Sequence, residues 1–121
     1  MKTLTVGLGT FEDMRKGFIT AAGAAETGAP FEPVSTLNFA SYDSMYRVLS
    51  PSRLAIVNVL AGQGPLSIRE VARRVGRDVQ AVHRDVTTLI NSGVIDRDEA
   101  GVSFPYDEID FSFKLRTGNA A

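Results

Sequence analysis

The fold is decided by the stretch SIREVARRVGRDVQAVHRDVTTLINSGVI, residues 67–95. Ser67 and Glu70 have the spacing of a helix-capping box, and Gly76 suits the end of the short helix that they begin. Asp78 can then cap a longer helix. Two helices joined by a turn that contains glycine predict a helix–turn–helix.

The flanking segments extend this unit. Pro51 fits the first turn of a preceding helix. Downstream, a first strand at 94–95, a polar tip at 96–101 and a return strand at 102–104 predict a β-hairpin. The order from residue 51 is therefore helix, helix, turn, helix, hairpin, which is typical of a winged helix–turn–helix.

The first fifty residues have a different pattern. Thr3–Leu8 alternates as a strand does, a helix is expected from Phe11 to about Gly28, and Val34–Phe39 reads as a second strand. Ser41 opens a short helix. The predicted fold class is α+β: residues 1–50 form a strand–helix–strand arm that packs on the module or mediates dimerisation, and residues 51–121 form a winged helix–turn–helix DNA-binding domain, with one further strand around 109–113.

Composition excludes several kinds of site. The 121 residues include no cysteine and one histidine, so a disulfide scaffold, thiol catalysis and metal sites built on thiolates or several histidines are ruled out. No cofactor and no metal are predicted. No apolar run approaches the roughly 20 residues that cross a bilayer, and we expect a cytoplasmic protein without a membrane partner. Nothing in the sequence predicts an enzyme.

Charge is distributed unevenly along the chain. The net charge is −1, yet residues 51–95 carry six arginines against three acidic residues, a net charge of +3. Residues 96–121 carry a net charge of −3. Guanidinium groups suit phosphates and guanine edges, so the central segment is the candidate for a nucleic-acid contact.

The longer helix offers a face for reading bases. Its apolar stripe is predicted to contain Val79, Val82, Val86, Leu89 and Ile90. The opposite face carries arginine, glutamine and threonine, which match guanine, adenine and thymine edges in the major groove. The candidate base contacts are Arg77, Gln80, Arg84, Thr87 and Thr88.

A second set of polar residues surrounds this face and is suited to holding phosphates. His83 lies on the flank of the longer helix and Arg97 at the edge of the hairpin. Exposed arginines are most often only solvated and have no partner. Here the caps, turns and hairpin occur in the order of a winged helix–turn–helix, which favours a role in binding. The candidate phosphate and wing contacts are Ser67, Arg69, Arg73, Arg74, His83 and Arg97.

The order of these motifs resembles the MarR-type winged-helix regulators, and more narrowly a prokaryotic subfamily of antitoxin-like or DNA-binding regulators. The resemblance implies that the second and third helices of the module bind DNA and that the protein is a dimer. Arg53 and Asp85 fit the subfamily pattern, and we expect an ion pair or hydrogen bond between them. The matching segments are Leu49–Arg53, Ser67–Asp78, Val82–Val86, Ser92–Ile95 and Phe104–Ile109.

The sequence thus predicts a regulator of transcription that binds double-stranded DNA sequence-specifically, most simply a repressor acting as a homodimer. Two alternatives stay open. One is an antitoxin that caps a cognate toxin protein and regulates its own operon. The other is a winged-helix module that binds only proteins.

Overall fold

The computed structural model describes residues 2–9 and 35–113, and these form a mixed helix and strand, α+β fold. The predicted helix from Phe11 to Gly28 lies outside the described residues. The elements in chain order are β1 (Thr3–Leu8), β2 (Ser35–Phe39), α1 (Tyr42–Val48), α2 (Pro51–Leu60), α3 (Ile68–Val75), α4 (Val79–Asn91), β3 (Asp96–Asp98), β4 (Gly101–Ser103) and β5 (Glu108–Phe111).

Side-chain caps start the helices where the sequence places them. The Ser41 hydroxyl accepts from the backbone N–H of Ser44 at the start of α1. The Ser67 hydroxyl does the same at α3, and the Asp78 carboxylate accepts from two N–H groups at α4. Pro51 occupies the first turn of α2. Each cap satisfies backbone donors that a helix leaves unpaired.

The three-stranded sheet has β1 at its centre, between β2 and β5, and both neighbours run parallel to it. Leu4 of β1 pairs with Ser35 on one side and Ile109 on the other. The parallel pairing of β1 with β2 is the pairing that a crossover connection produces. The predicted late strand thus joins the first strand of the chain.

The hairpin, β3–β4, is antiparallel and pairs Asp96 with Ser103. A separate antiparallel bridge joins Val102 of β4 to Leu66, the residue before the cap of α3. The helix order with this hairpin is compatible with a winged helix–turn–helix.

Apolar side chains from the helices and from every strand except β3, which is exposed, form one core. The predicted inward position of Val79 is wrong: its side chain is 42% exposed and does not pack on the core. Val79 is the first residue of α4, so it lies at the open end of the helix. Within the described ranges, no helix is long and apolar enough to cross a bilayer. The fully buried side chains of the core include Val6, Ile56, Leu60, Val71, Val82, Val86, Leu89, Val94, Ile95 and Val102.

Candidate nucleic-acid interface

Helix α4 has one face in the core and one in solvent. Val82, Val86 and Leu89 are fully buried. At about 100° per residue the opposite direction is occupied by Gln80 and Arg84, and both are exposed. The face predicted to read bases is therefore accessible in the folded protein.

Thr88 on this face differs in exposure from the sequence prediction, and Asn91 is an exposed position that the sequence did not predict. Thr87 is exposed, whereas Thr88 is half-buried. Asn91 is exposed and lies in line with Arg84 and Thr87, at the spacing of one helical face. Sequence reasoning missed Asn91 because it is the last residue of α4, where the sequence predicts the end of the helix.

The two threonine hydroxyls are bonded within the helix. Thr87 Oγ1 donates to the carbonyl oxygen of His83 at 2.9 Å, and Thr88 Oγ1 donates to that of Arg84 at 3.2 Å. A hydroxyl used in this way keeps acceptor lone pairs and its methyl group for an outside contact. At Thr87 the methyl group is the part suited to a thymine methyl.

Arg77 is not on the helical face where the sequence places it. It precedes the N-cap residue Asp78, and its Nη1 donates to Oδ2 of Asp85 at 2.7 Å. The Arg77 side chain is 32% exposed to solvent. The prediction assumed 100° of rotation per residue, which does not apply to Arg77 because it lies in the turn before α4.

The expected contact between Arg53 and Asp85 is confirmed. Arg53 Nε donates to Oδ1 of Asp85 at 3.2 Å, which joins α2 to α4. Arg53 Nη1 also donates to the carbonyl oxygens of Arg47 and Val48, at the end of α1. One guanidinium group therefore connects three helices.

A second cluster lies on the surface of α3. Arg73 Nε donates to Oε2 of Glu70 at 3.0 Å, and Arg74 Nε donates to Oε1 at 2.9 Å. The hydrogen bond from Arg73, followed by that from Arg74, lowers the pKa of Glu70 to about 2. Only half of the predicted capping box forms. The Ser67 hydroxyl accepts from the backbone N–H of Glu70, but the Glu70 carboxylate binds the two arginines instead of the backbone N–H of Ser67.

The remaining candidates are exposed at separate places. Ser67 and Arg69 are at the start of α3, His83 is on α4, and Arg97 is on β3. Within residues 2–9 and 35–113, no carboxylate forms an ion pair with Arg69, Arg84 or Arg97. Arg97 has the acidic Asp96 and Asp98 as chain neighbours, so the hairpin is less favourable to phosphate than α3 is.

The exposed side chains of α3 and α4 can contact a polyanion in two ways, through hydrogen bonds to base edges and through positive charge near phosphates. Arg84 and Gln80 project from the exposed face of α4, at the spacing that suits base edges in a major groove. Arg69 and Arg73 are exposed on α3 and are further sources of positive charge. No group of three or more potential metal ligands occurs in the part of the chain that the structure describes.

Comparisons with known proteins identify relatives of this chain. Residues 48–111, which run from the end of α1 to the end of β5, match the model of the HVO_A0114 family. The chain is 31% identical over 88 residues to the HTH-type transcriptional regulator NmtR of Mycobacterium tuberculosis (strain ATCC 25618 / H37Rv), and the alignment covers 73% of this chain and 71% of that protein. The chain therefore belongs to the HVO_A0114 family and, like NmtR, to the helix–turn–helix transcriptional regulators.

Proposed function

We propose that the protein binds double-stranded DNA sequence-specifically and regulates transcription. The observation that carries the proposal is the exposed face of α4, with Gln80 and Arg84 in solvent opposite a fully buried apolar stripe. A helix held in this way can enter a major groove without any rearrangement of the core. The relationship to NmtR supports the same conclusion.

The residues divide by what they contact. Gln80 and Arg84 reach base edges, with Thr87 and Thr88 beside them. Exposed groups on α3 and at the flank of α4 hold phosphates, which fixes the register of the protein on the duplex. The phosphate set is Ser67, Arg69, Arg73, Arg74 and His83, with Arg97 on the hairpin.

The charge of the module supports a modest, salt-sensitive affinity. Glu70 and Asp85 are each shared by two arginines, so each cluster keeps one net positive charge. Arg69 and Arg84 add two more, which Asp78 partly offsets. If each protomer neutralises about three phosphates, the slope of log affinity against log salt is about −5 to −6 for a dimer.

We propose a homodimer in which two copies of α4 enter successive major grooves. A surface suited to a second copy is the α1 face, which we define as Tyr42, Asp43, Tyr46 and Arg47. The two tyrosines are about half exposed, and their ring centroids are 6.3 Å apart. Asp43 and Arg47 are also exposed, so two antiparallel copies of this face are complementary in charge across a two-fold axis.

The simplest mechanism is repression by occupancy of an operator. A bound dimer covers DNA that the transcription machinery needs, and no chemistry is required of the protein. The resemblance to MarR-type regulators supports this mode, and the subfamily assignment is part of the proposal.

The test is selection of duplexes from a random pool by the purified full chain at low salt. Recovery of a recurrent motif with two similar half-sites about one helical turn apart is the expected result. Failure to retain any duplex contradicts the proposal and favours a module that binds only proteins. A small protein that co-purifies in stoichiometric amount and blocks retention of DNA favours the antitoxin alternative.

A further inference from the structure

The carboxylate of Asp85 lies between two guanidinium groups. Its Oδ1 accepts from Arg53 and its Oδ2 accepts from Arg77. The Asp85 side chain is 14% exposed, against 22% for Arg53 and 32% for Arg77. The cluster therefore runs from the packed interface of α2 and α4 towards the surface, and Arg77 is its outermost member.

Arg77 is held at both ends, beside the N-terminus of α4. Its backbone N–H donates to the carbonyl oxygen of Ala72 at 3.1 Å, and its guanidinium group is fixed by Asp85. A guanidinium group has five N–H donors. Within the described residues, the recorded side-chain bond of Arg77 uses Nη1 alone, so most of its donors remain for an outside partner.

We propose that Arg77 contacts a backbone phosphate and that Asp85 is the positioning residue that holds it ready; this rests on the proposed function. Phosphates line the edge of the groove, where the N-terminus of an inserted helix approaches them. The bond to Asp85 keeps the guanidinium group of Arg77 beside α4 and leaves it partly exposed. Because it is already ordered, it loses little conformational freedom on binding.

Glu70 supplies the matched control. It is also shared by two arginines, but Arg73 is 70% exposed and the cluster is open to solvent. Neutralising either acid adds one positive charge to the DNA-facing module. If Asp85 acted only through its charge, Asp85→Asn and Glu70→Gln would both strengthen binding. Positioning predicts opposite signs for the two substitutions.

The experiment measures Kd for a fluorescent duplex carrying the selected motif and for an unrelated duplex of equal length, at about 50 mM and about 200 mM salt. We expect Arg77→Ala to weaken both duplexes by about tenfold and to reduce the salt slope by about one per protomer. We expect Asp85→Asn to weaken both, most clearly at the higher salt. Glu70→Gln should tighten both at the lower salt.

Variants of the cluster separate positioning from stability. Arg53→Ala breaks the inner half of the cluster and removes one positive charge, so it should lower Tm and weaken both duplexes less than Arg77→Ala does when binding is measured well below Tm. Arg77→Lys keeps the charge and loses the planar fork, so it should keep the salt slope and lose affinity. The double variant of Arg77→Ala with Asp85→Asn should bind no more weakly than Arg77→Ala alone.

Three results overturn the inference while leaving the proposed function intact. They are tightening by Asp85→Asn, unchanged affinity in Arg77→Ala, and a loss of preference at one base pair in Arg77→Ala, which would make Arg77 a base contact. Failure of the unsubstituted protein to bind either duplex overturns both.

Discussion

Leu66 and Val102 exchange two backbone hydrogen bonds: Leu66 N–H donates to Val102 O at 2.9 Å, and Val102 N–H donates to Leu66 O at 2.8 Å. Leu66 directly precedes Ser67, the cap of α3, and Val102 is the central residue of β4. The hairpin is thereby fixed to the start of α3. Any displacement of the hairpin must either break this pair or move the helix.

Gly101 is the residue that permits this close approach. A Cβ atom there would clash with the carbonyl group of Leu66, and the φ of +135° at Gly101 disfavours other residues. We expect Gly101→Ala to lower the free energy of unfolding by about 2 kcal/mol or more. Gly64→Ala, where added atoms meet nothing within 4 Å, should change it by less than about 1 kcal/mol. Urea unfolding measures both, and equal effects would contradict the account.

Arg53 stabilises the packing of three helices through Asp85 and the end of α1. We expect Arg53→Ala to lower the free energy of unfolding by about 1–2 kcal/mol, since the pair is only partly shielded from solvent. Tm should fall by roughly 5–10 °C. An unchanged Tm together with loss of DNA binding would show that Arg53 acts at the interface instead.

Arg84 and Arg73 should affect DNA binding differently. Arg84 lies on the exposed face of α4 without a carboxylate partner in the described ranges, so Arg84→Ala should remove about 1–3 kcal/mol of discrimination at one base pair. Arg73→Ala should weaken all duplexes about equally and lower the salt slope. Repeating the selection with each variant measures this. A preserved motif in Arg84→Ala would exclude it as a base contact.

The pKa of Glu70 reports on the arginine cluster of α3. Hydrogen bonds from Arg73 and then Arg74 lower it from 4.5 to about 2. A folded-state pKa below the unfolded value stabilises the fold above about pH 4.5, and that contribution disappears as the pH falls towards 2. In Arg73→Ala, NMR titration of the Glu70 carboxyl carbon should show the pKa rising towards 4.5. Arg69→Ala is the control, and a pKa that stays near 2 in Arg73→Ala would refute the assignment.

Charge reversal tests whether the α1 face joins two copies. Asp43→Arg or Arg47→Asp alone would place like charges opposite each other across a two-fold axis, so each should shift the protein towards monomer. The double reversal restores opposite charges and should restore the dimer. Sedimentation measures all three. If the single reversals leave the dimer intact, the two copies meet elsewhere.

The sequence was most informative where the structure is locally determined. Ser67, Asp78 and Pro51 start helices through contacts within a few residues of themselves, so their positions follow from spacing alone. The contact between Arg53 and Asp85 was expected from a family pattern, and not from the local sequence. The exposed face of α4 was identified in outline, although Asn91, at the end of the helix, was missed.

Contacts between distant segments were harder to predict. Arg77 stands next to a helical run, and only the fold shows that it turns back to Asp85. The strand at Glu108–Phe111 was expected, but its partner could not be identified, since alternation along a strand does not encode which strand lies beside it. Glu70 follows the spacing of a capping box, and the two arginines within one helical turn compete successfully for its carboxylate.

The pairing of β1 with β5 has a consequence for biosynthesis. Thr3 and Glu108, which face each other in the sheet, are separated by 105 positions. As the chain leaves the ribosome, the helices and the hairpin can form through contacts near in sequence, whereas β1 can pair on its second side only after residues 108–111 have emerged. Because a two-stranded sheet is marginal on its own, the apolar strand β1 remains a target for chaperones or for aggregation until β5 has left the ribosome and paired with it.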